Sequence, residues 1–343
     1  MPDKIFCELD PVFETMGLLF VSYNFDEVKI ETRKALSDLG FDGERFYSQN
    51  LKAYDKYLQV FFKSRVPSQE DALFFDEKDS NYFLILLSLI NENRSWLTSS
   101  DNLTDTLINT QIIHICKAVF DDDPEFGSVE ALDDIIKFLE KSGLEVNAKW
   151  KLLRIMQQPK KHITQLINAI NINMEAYQKA VSEINKPMKK LLDEYITSVN
   201  NHSDKKFYEI KDKLSQASSI YPTLIFPVSQ MMFEKSCYYG LLSEMVIKDG
   251  KARLHSKESL LLKLKALSDS SKLEIITSLK ISPKYNLEIA QQLGLTAATM
   301  SHHMNVLLNC GFVGVEKKDG KVYYHLHKDN IKDLIEELEQ TLL

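Results

Sequence analysis

Residues Asn286-Leu-Glu-Ile-Ala-Gln-Gln-Leu-Gly294, Leu295-Thr296 and Ala297-Ala-Thr-Met-Ser-His-His-Met-Asn-Val-Leu-Leu-Asn309 read as two short helices around a tight turn. Gly294 suits that turn because, without a Cβ, it takes positive φ at no steric cost. Thr296 is placed to cap the second helix by accepting from one of its orphan amides. In that helix Met300, Met304 and Leu307 recur at i, i+4 and i+7 and make a stripe to be buried. Ala298, His302, Asn305 and Asn309 fall on another side, which is small and polar. A helix lying in the major groove needs this division: a packed back and a thin front that carries donors and acceptors.

The next stretch extends the pattern. Cys310-Gly311 ends the helix, Phe312-Val-Gly-Val-Glu-Lys317 reads as a strand, and Lys321-Val-Tyr-Tyr-His-Leu326 returns after Lys318-Asp319-Gly320. Asp-Gly between two β-rich runs is a strong local hairpin signal. Lys317, Lys318 and Lys321 cluster at the tip, where a wing would meet phosphate. Lysines guarding an edge strand of an ordinary hairpin are the alternative; the position directly after a helix-turn-helix favours the wing. The candidate DNA contacts are therefore Thr296, Ala298, Thr299, Ser301, His302 and Asn305 on the helix, with Lys317, Lys318, Lys321 and Tyr323 on the hairpin.

Several of these motifs agree in order and spacing with one known family. Leu267-Ser-Asp269-Ser-Ser-Lys272-Leu-Glu-Ile, Glu288-Ile-Ala-Gln-Gln-Leu-Gly-Leu295, Thr299-Met-Ser301-His302-His303-Met-Asn-Val-Leu307 and Asp319-Gly-Lys-Val-Tyr-Tyr324 resemble the ArsR/SmtB winged-helix repressors. The resemblance runs over 85 residues, from Ser259 to Leu343. It implies a winged helix-turn-helix that dimerises through its first and last helices and represses from a double-stranded operator. The chain departs from the family pattern at Ser270, where Pro is usual, and at Lys272, where Arg is usual. Metal-sensing members carry Cys-x-Cys in the helix before the turn; here that helix reads Ile289-Ala290-Gln291-Gln292, so no metal and no cofactor is expected.

The expected dimer surface has two parts. Glu258-Ser-Leu-Leu-Leu-Lys-Leu-Lys-Ala-Leu267 is Leu-rich, and Asp329–Leu343 carries Ile331, Leu334, Ile335, Leu338 and Leu342 on one side. A helix that closes the chain is expected to have little intrachain partner left, so Leu260, Leu261, Leu264, Leu334 and Leu338 are the dimerisation candidates. Packing of both helices on the N-terminal part is the alternative.

Composition bounds the rest. At 343 residues the chain is long enough for two or three domains. Apolar runs such as Tyr82–Ile90 are too short to span a bilayer, and the N-terminus has no secretory apolar region, so a cytoplasmic protein without membrane contact is expected. Cys7, Cys116, Cys237 and Cys310 lie far apart and read as buried thiols. Between Lys257 and Lys328 ten Lys face six acids, a balance of +4, which leaves −11 for the remainder of a chain whose net charge is −7. A basic unit joined to an acidic body is the pattern expected if only one face meets DNA.

The fold class expected is mainly α: a helical N-terminal domain with a few strands (1–247), a linker (248–257) and a winged helix-turn-helix domain (258–343). In the body, Phe25–Leu39, Glu44–Arg65, Ser80–Asn91, Leu107–Phe120, Val129–Lys141 and Trp150–Ile172 read as amphipathic helices. Asn173–Ser198 reads as another, interrupted at Pro187. Strand-like pieces are Lys4–Leu9, Ile220–Phe226 and Tyr238–Ile247. Lys248-Asp-Gly-Lys-Ala-Arg-Leu-His255 is polar and marks the boundary.

Several groupings look chemical and have plainer readings. His302 and His303 are adjacent on a helix, about 100° apart, and cannot chelate one metal together. His303 lies nearer the buried side, and His302 faces outward. His325 and His327 share a strand face but lack an evident third ligand. Asp133 and Asp134 sit near a helix start and favour its dipole. Asp121-Asp122-Asp123 with Glu125 reads as a solvated loop. Phosphate-cradling, zinc-protease, nucleophile-elbow and dinucleotide motifs are absent, so no catalytic residue is expected. The leading reading is a homodimeric transcription regulator whose body adds to the dimer, either as a scaffold with no ligand or also as the sensor of a small-molecule effector. A ligand-sensing or protein-interaction protein that uses the winged unit only to dimerise, and an enzyme in the body, remain the alternatives.

Overall fold

In the computed structural model the chain is described over residues 3–39, 41–98, 103–120, 132–142, 144–215, 217–247, 257–295, 297–318 and 321–343. Buried apolar side chains form two separate cores, one drawn from Leu9 to Leu242 and one from Leu260 to Leu334. Helices dominate both, with a few short strands. The expected boundary at Lys248–His255 and the acidic run Asp121–Asp123 with Glu125 lie outside the described residues.

The body is organised around a helix that the periodicity did not reveal, Pro11–Tyr23. Asp10 fixes its start: Oδ1 accepts from Val12 N at 3.0 Å and from Phe13 N at 3.2 Å, with Pro11 in the opening turn. Every residue from Phe13 to Val21 is buried. A helix covered on all sides has no polar face and hence no amphipathic period to read. Glu14 is inside it. Oε1 accepts from Thr223 Oγ1 at 2.6 Å and Leu224 N at 2.9 Å, and Oε2 accepts from Tyr57 Oη at 2.9 Å and Ile225 N at 3.0 Å. Burial pushes this carboxyl up to about 7, against the pull of the four donors.

Strands β1 (Lys4–Ile5), β2 (Ser219–Thr223), β3 (Gln230–Met232) and β4 (Cys237–Gly240) form the body sheet in the order β1-β2-β4-β3. β1 and β4 both run parallel to β2, while β3 is antiparallel to β4. Segments far apart in the chain thus meet at this edge: Lys4 pairs with Ser219. Rings continue this sheet into the core, where Phe6 stacks on Tyr221 (4.0 Å), Tyr221 on Tyr238 (5.4 Å) and Tyr238 on Phe13 (3.6 Å).

Three expected helices are broken where tertiary packing asks for it. Glu44–Arg65 is two helices, Gly43–Asn50 and Lys52–Ser64, with buried Leu51 at the bend. Trp150–Ile172 divides into Val146–Gln157 and Pro159–Glu183, and Pro159 opens the second, where a missing N–H costs nothing. The interruption expected at Pro187 falls at Ile184 instead; Pro187 sits in the first turn of Asn185–Asn200. Helix Lys205–Leu214 and strand β3 had no counterpart in the periodicity. Tyr238–Ile247 is a strand only to Gly240, and 243–247 is helical.

In the C-terminal unit helices Lys257–Leu267, Ser270–Ile281, Asn286–Leu293, Ala297–Asn309 and Lys328–Leu342 surround a sheet of β5 (Lys284–Tyr285), β6 (Val313–Lys318) and β7 (Lys321–Leu326). The sheet order is β5-β7-β6, and β6 pairs with β7 from Val313↔Leu326 to Lys318↔Lys321. One expectation is corrected here. The last helix does have an intrachain partner: Leu334 is 2% exposed and Leu260 6%, both within the core of this unit. Leu264 and Leu338 pack against the same core, whereas Leu261 is 57% exposed. The two stripes cover each other in part: Ile335 stays 52% exposed and Leu342 74%.

Candidate nucleic-acid interface

Local sequence explains how the two central helices of this unit are held. Asp269 caps Ser270–Ile281, its Oδ1 accepting from Lys272 N at 3.0 Å, and that bond holds the carboxyl below the usual range. A helix start therefore forms without Pro at position 270. Lys284 Nζ donates to Ser278 Oγ at 2.9 Å and to Gln292 Oε1 at 2.8 Å, which ties the Ser270–Ile281 helix to Asn286–Leu293. Gly294 closes the latter helix in the left-handed conformation (φ 63°), the role its missing Cβ suits.

Helix Ala297–Asn309 buries Met300, Met304 and Leu307 and leaves Thr299, Asn305 and Asn309 exposed. His302 is half-buried. His303 turns Nδ1 inward with no hydrogen-bond partner, and burial pushes its pKa down; it packs rather than presents. Thr296 lies outside the described residues, as do the side chains of Ala298, Ser301 and Lys321.

Gly311 (φ 75°) turns the chain from this helix into β6. Val313, Gly314 and Val315 are buried, and Glu316, Lys317 and Lys318 are exposed toward the hairpin tip. Tyr323 is half-buried on β7 and meets Tyr285 edge to face, with ring centroids 6.1 Å apart. The third strand, β5, was not expected, because two residues carry no period. His325 and His327 do share a face, with ring centroids 5.0 Å apart. They crowd Gly314, where a Cβ would lie 2.6 Å from His325 Nε2 and would also collide with His327 Nε2. Among the described residues no group of three or more His, Cys, Asp and Glu could hold a metal ion, and no helix is long and apolar enough to cross a membrane.

A polar, partly exposed helix face thus stands beside an exposed two-lysine wing. A family model described as "Bacterial regulatory protein, arsR family" matches residues 269–315, from the Asp269 cap into the wing strand. Over 75 residues the chain is 33% identical to the arsenical resistance operon repressor of Staphylococcus aureus, covering 22% of this chain and 72% of that one. The chain belongs to the arsR family of bacterial regulatory proteins. It is similar also to the HTH-type transcriptional regulator NmtR of Mycobacterium tuberculosis, at 30% identity over 74 residues, 22% of this chain and 62% of that protein. The cadmium resistance transcriptional regulatory protein CadC homolog of Staphylococcus aureus is 33% identical over 73 residues, 21% of this chain and 60% of that protein. The chain thus spans under two thirds of the length of these last two relatives, and the arsR-family likeness lies in its C-terminal region. No solved structure matches the chain.

Proposed function

We propose that this chain is a sequence-specific DNA-binding transcription regulator, not an enzyme, acting as a homodimeric repressor in the cytoplasm of a bacterium. The single observation that carries the reading is the division of helix Ala297–Asn309. Its apolar back is sealed by Met300, Met304 and Leu307, its front exposes Thr299 and Asn305, and Lys317 and Lys318 are exposed on the strand that follows. The front suits base edges in the major groove, and the lysines suit phosphate. Thr296, Ala298, Ser301, His302, Lys321 and Tyr323 complete the proposed contacts.

Two copies related by a two-fold axis would present two such helices about 34 Å apart, one duplex turn. In this reading residues 1–247 form the regulatory body, 248–257 the linker and 258–343 the DNA-binding unit; the two separate cores support the division. A small-molecule effector on the body would act only through a difference in affinity between two arrangements of the dimer. Selection of binding sites from random duplex with the full chain tests the proposal. A recovered, pseudo-palindromic motif is the expected result, and binding that is equal for all sequences would overturn it.

A further inference from the structure

Among the described residues, helix Lys205–Leu214 of the body packs against the C-terminal unit, and the DNA-binding reading leaves it unused. Its roots are in the body. Asp204 caps it, Oδ1 accepting from Phe207 N at 3.0 Å, and Asp204 Oδ2 accepts from Gln230 Nε2 on β3 at 2.5 Å. Phe207 is fully buried and meets Tyr239 of β4 edge to face at 5.1 Å. Tyr208 Oη donates to Val199 O at 2.8 Å, and Lys211 Nζ pairs with Asp3 Oδ1 at 3.0 Å, next to β1. Three strands of the body sheet or their flanks therefore hold this one helix.

Its other face meets the C-terminal unit at two places. Lys206 Nζ donates to Leu308 O and reaches Asn309 Oδ1 at 3.4 Å, at the very end of helix Ala297–Asn309. The last carbonyls of a helix lack intrahelical donors and carry the negative end of its dipole, so an ammonium there is stabilised. Leu308 O already accepts from Gly311 N at 3.0 Å, so Lys206 supplies charge to an end the backbone has closed. The same helix also packs against β6, the strand that carries Gly314 and the wing lysines.

We infer that helix Lys205–Leu214 is a strut that sets the recognition helix and the wing against the body, with Lys206 as the positioning residue at the end of the recognition helix. The inference rests on the DNA-binding reading for its consequence, though its geometry stands without DNA. A body change that shifts β3, β4 or β1 would move the strut, and the strut would move the two DNA-facing parts together.

The test uses the full chain with Lys206→Ala, Lys206→Arg and Gln230→Ala. Amide exchange is followed at residues 306–312 without DNA, and duplex affinity is measured over a salt series. Lys206→Ala should quicken exchange at these amides and weaken duplex binding about two- to fivefold, the range of a helix-end charge, with the salt slope unchanged. Lys206→Arg should restore both. Gln230→Ala, which frees Asp204 inside the body, should quicken the same amides. Unchanged exchange in Lys206→Ala or in Gln230→Ala overturns the strut. A salt slope lower by about one unit in Lys206→Ala makes Lys206 a phosphate contact and overturns it too. Wild-type protein that binds no duplex sinks the DNA reading alone, because the exchange result still decides on the strut.

Discussion

Lys263 and Glu337 meet at 2.9 Å across the first and last helices of the C-terminal unit. The pair shows which way these helices face: toward each other within one chain, with Leu260 and Leu334 sealed behind them. What is left outside is a second set of apolar side chains, Leu261 at 57% and Ile335 at 52% exposure. Leu261→Glu and Ile335→Glu are therefore expected to shift a dimer toward monomer in sedimentation while barely moving the melting temperature. Leu334→Ala should do the opposite, costing about 2–5 kcal/mol of stability through lost burial and a cavity. If the two exposed substitutions leave the dimer intact, the pairing surface lies elsewhere.

The wing lysines are expected to position and not to specify. Lys317→Ala and Lys318→Ala should weaken binding to all duplexes alike and each lower the salt slope by about 0.9, because phosphates carry no sequence information. A loss confined to one preferred duplex would contradict this role.

Base readout is expected from the helix front. Thr299→Ala, His302→Ala and Asn305→Ala should each lose about 1–3 kcal/mol on the selected site and less on random duplex. Parallel titrations on both kinds of DNA read the difference directly, and equal losses would mean that another side of the helix faces the groove.

Glu14 makes stability depend on pH in a sense opposite to that of a carboxylate whose folded pKa is depressed. Its folded pKa is raised from 4.5 to about 7, so between those values the folded state holds the extra proton. Its contribution to stability is present below pH 4.5 and is lost as the pH rises to about 7, with no further change above. Glu14→Gln has no such titration. It also turns an amide NH2 toward donors that a carboxylate accepted, so it should be less stable throughout. Melting curves of the two proteins from pH 4.5 to pH 8 should give a stability difference that shrinks with rising pH.

Metal should leave duplex binding unchanged. At Ile289-Ala290-Gln291-Gln292 the first two side chains are buried and Gln292 is engaged by Lys284 and Ser278. Zinc, cadmium or copper titrated at neutral pH is expected to shift operator affinity less than tenfold, about 1.4 kcal/mol of coupling. A stoichiometric ion that exceeds this would contradict the expectation.

The arsR-family unit was legible from residue order because its signals are local. Positive φ at Gly294, the Met300-Met304-Leu307 stripe and the Lys318↔Lys321 hairpin each depend on neighbours a few positions away. The same holds for the exposed Thr299 and Asn305. Tertiary structure decided the rest. Helix Pro11–Tyr23 escaped the periodicity because burial on every side erases the polar face that periodicity measures. The bend at Leu51 comes from a side chain pulled fully into the core. The burial of Leu260 and Leu334 against one shared core could not be told, from the stripes alone, from burial against a second chain. Glu14 found its donors at residues 57 and 223 to 225, and Lys206 its acceptor at Leu308. Those contacts join residues distant in the chain, and only the folded packing of the helices and strands between them brings the partners within hydrogen-bond reach.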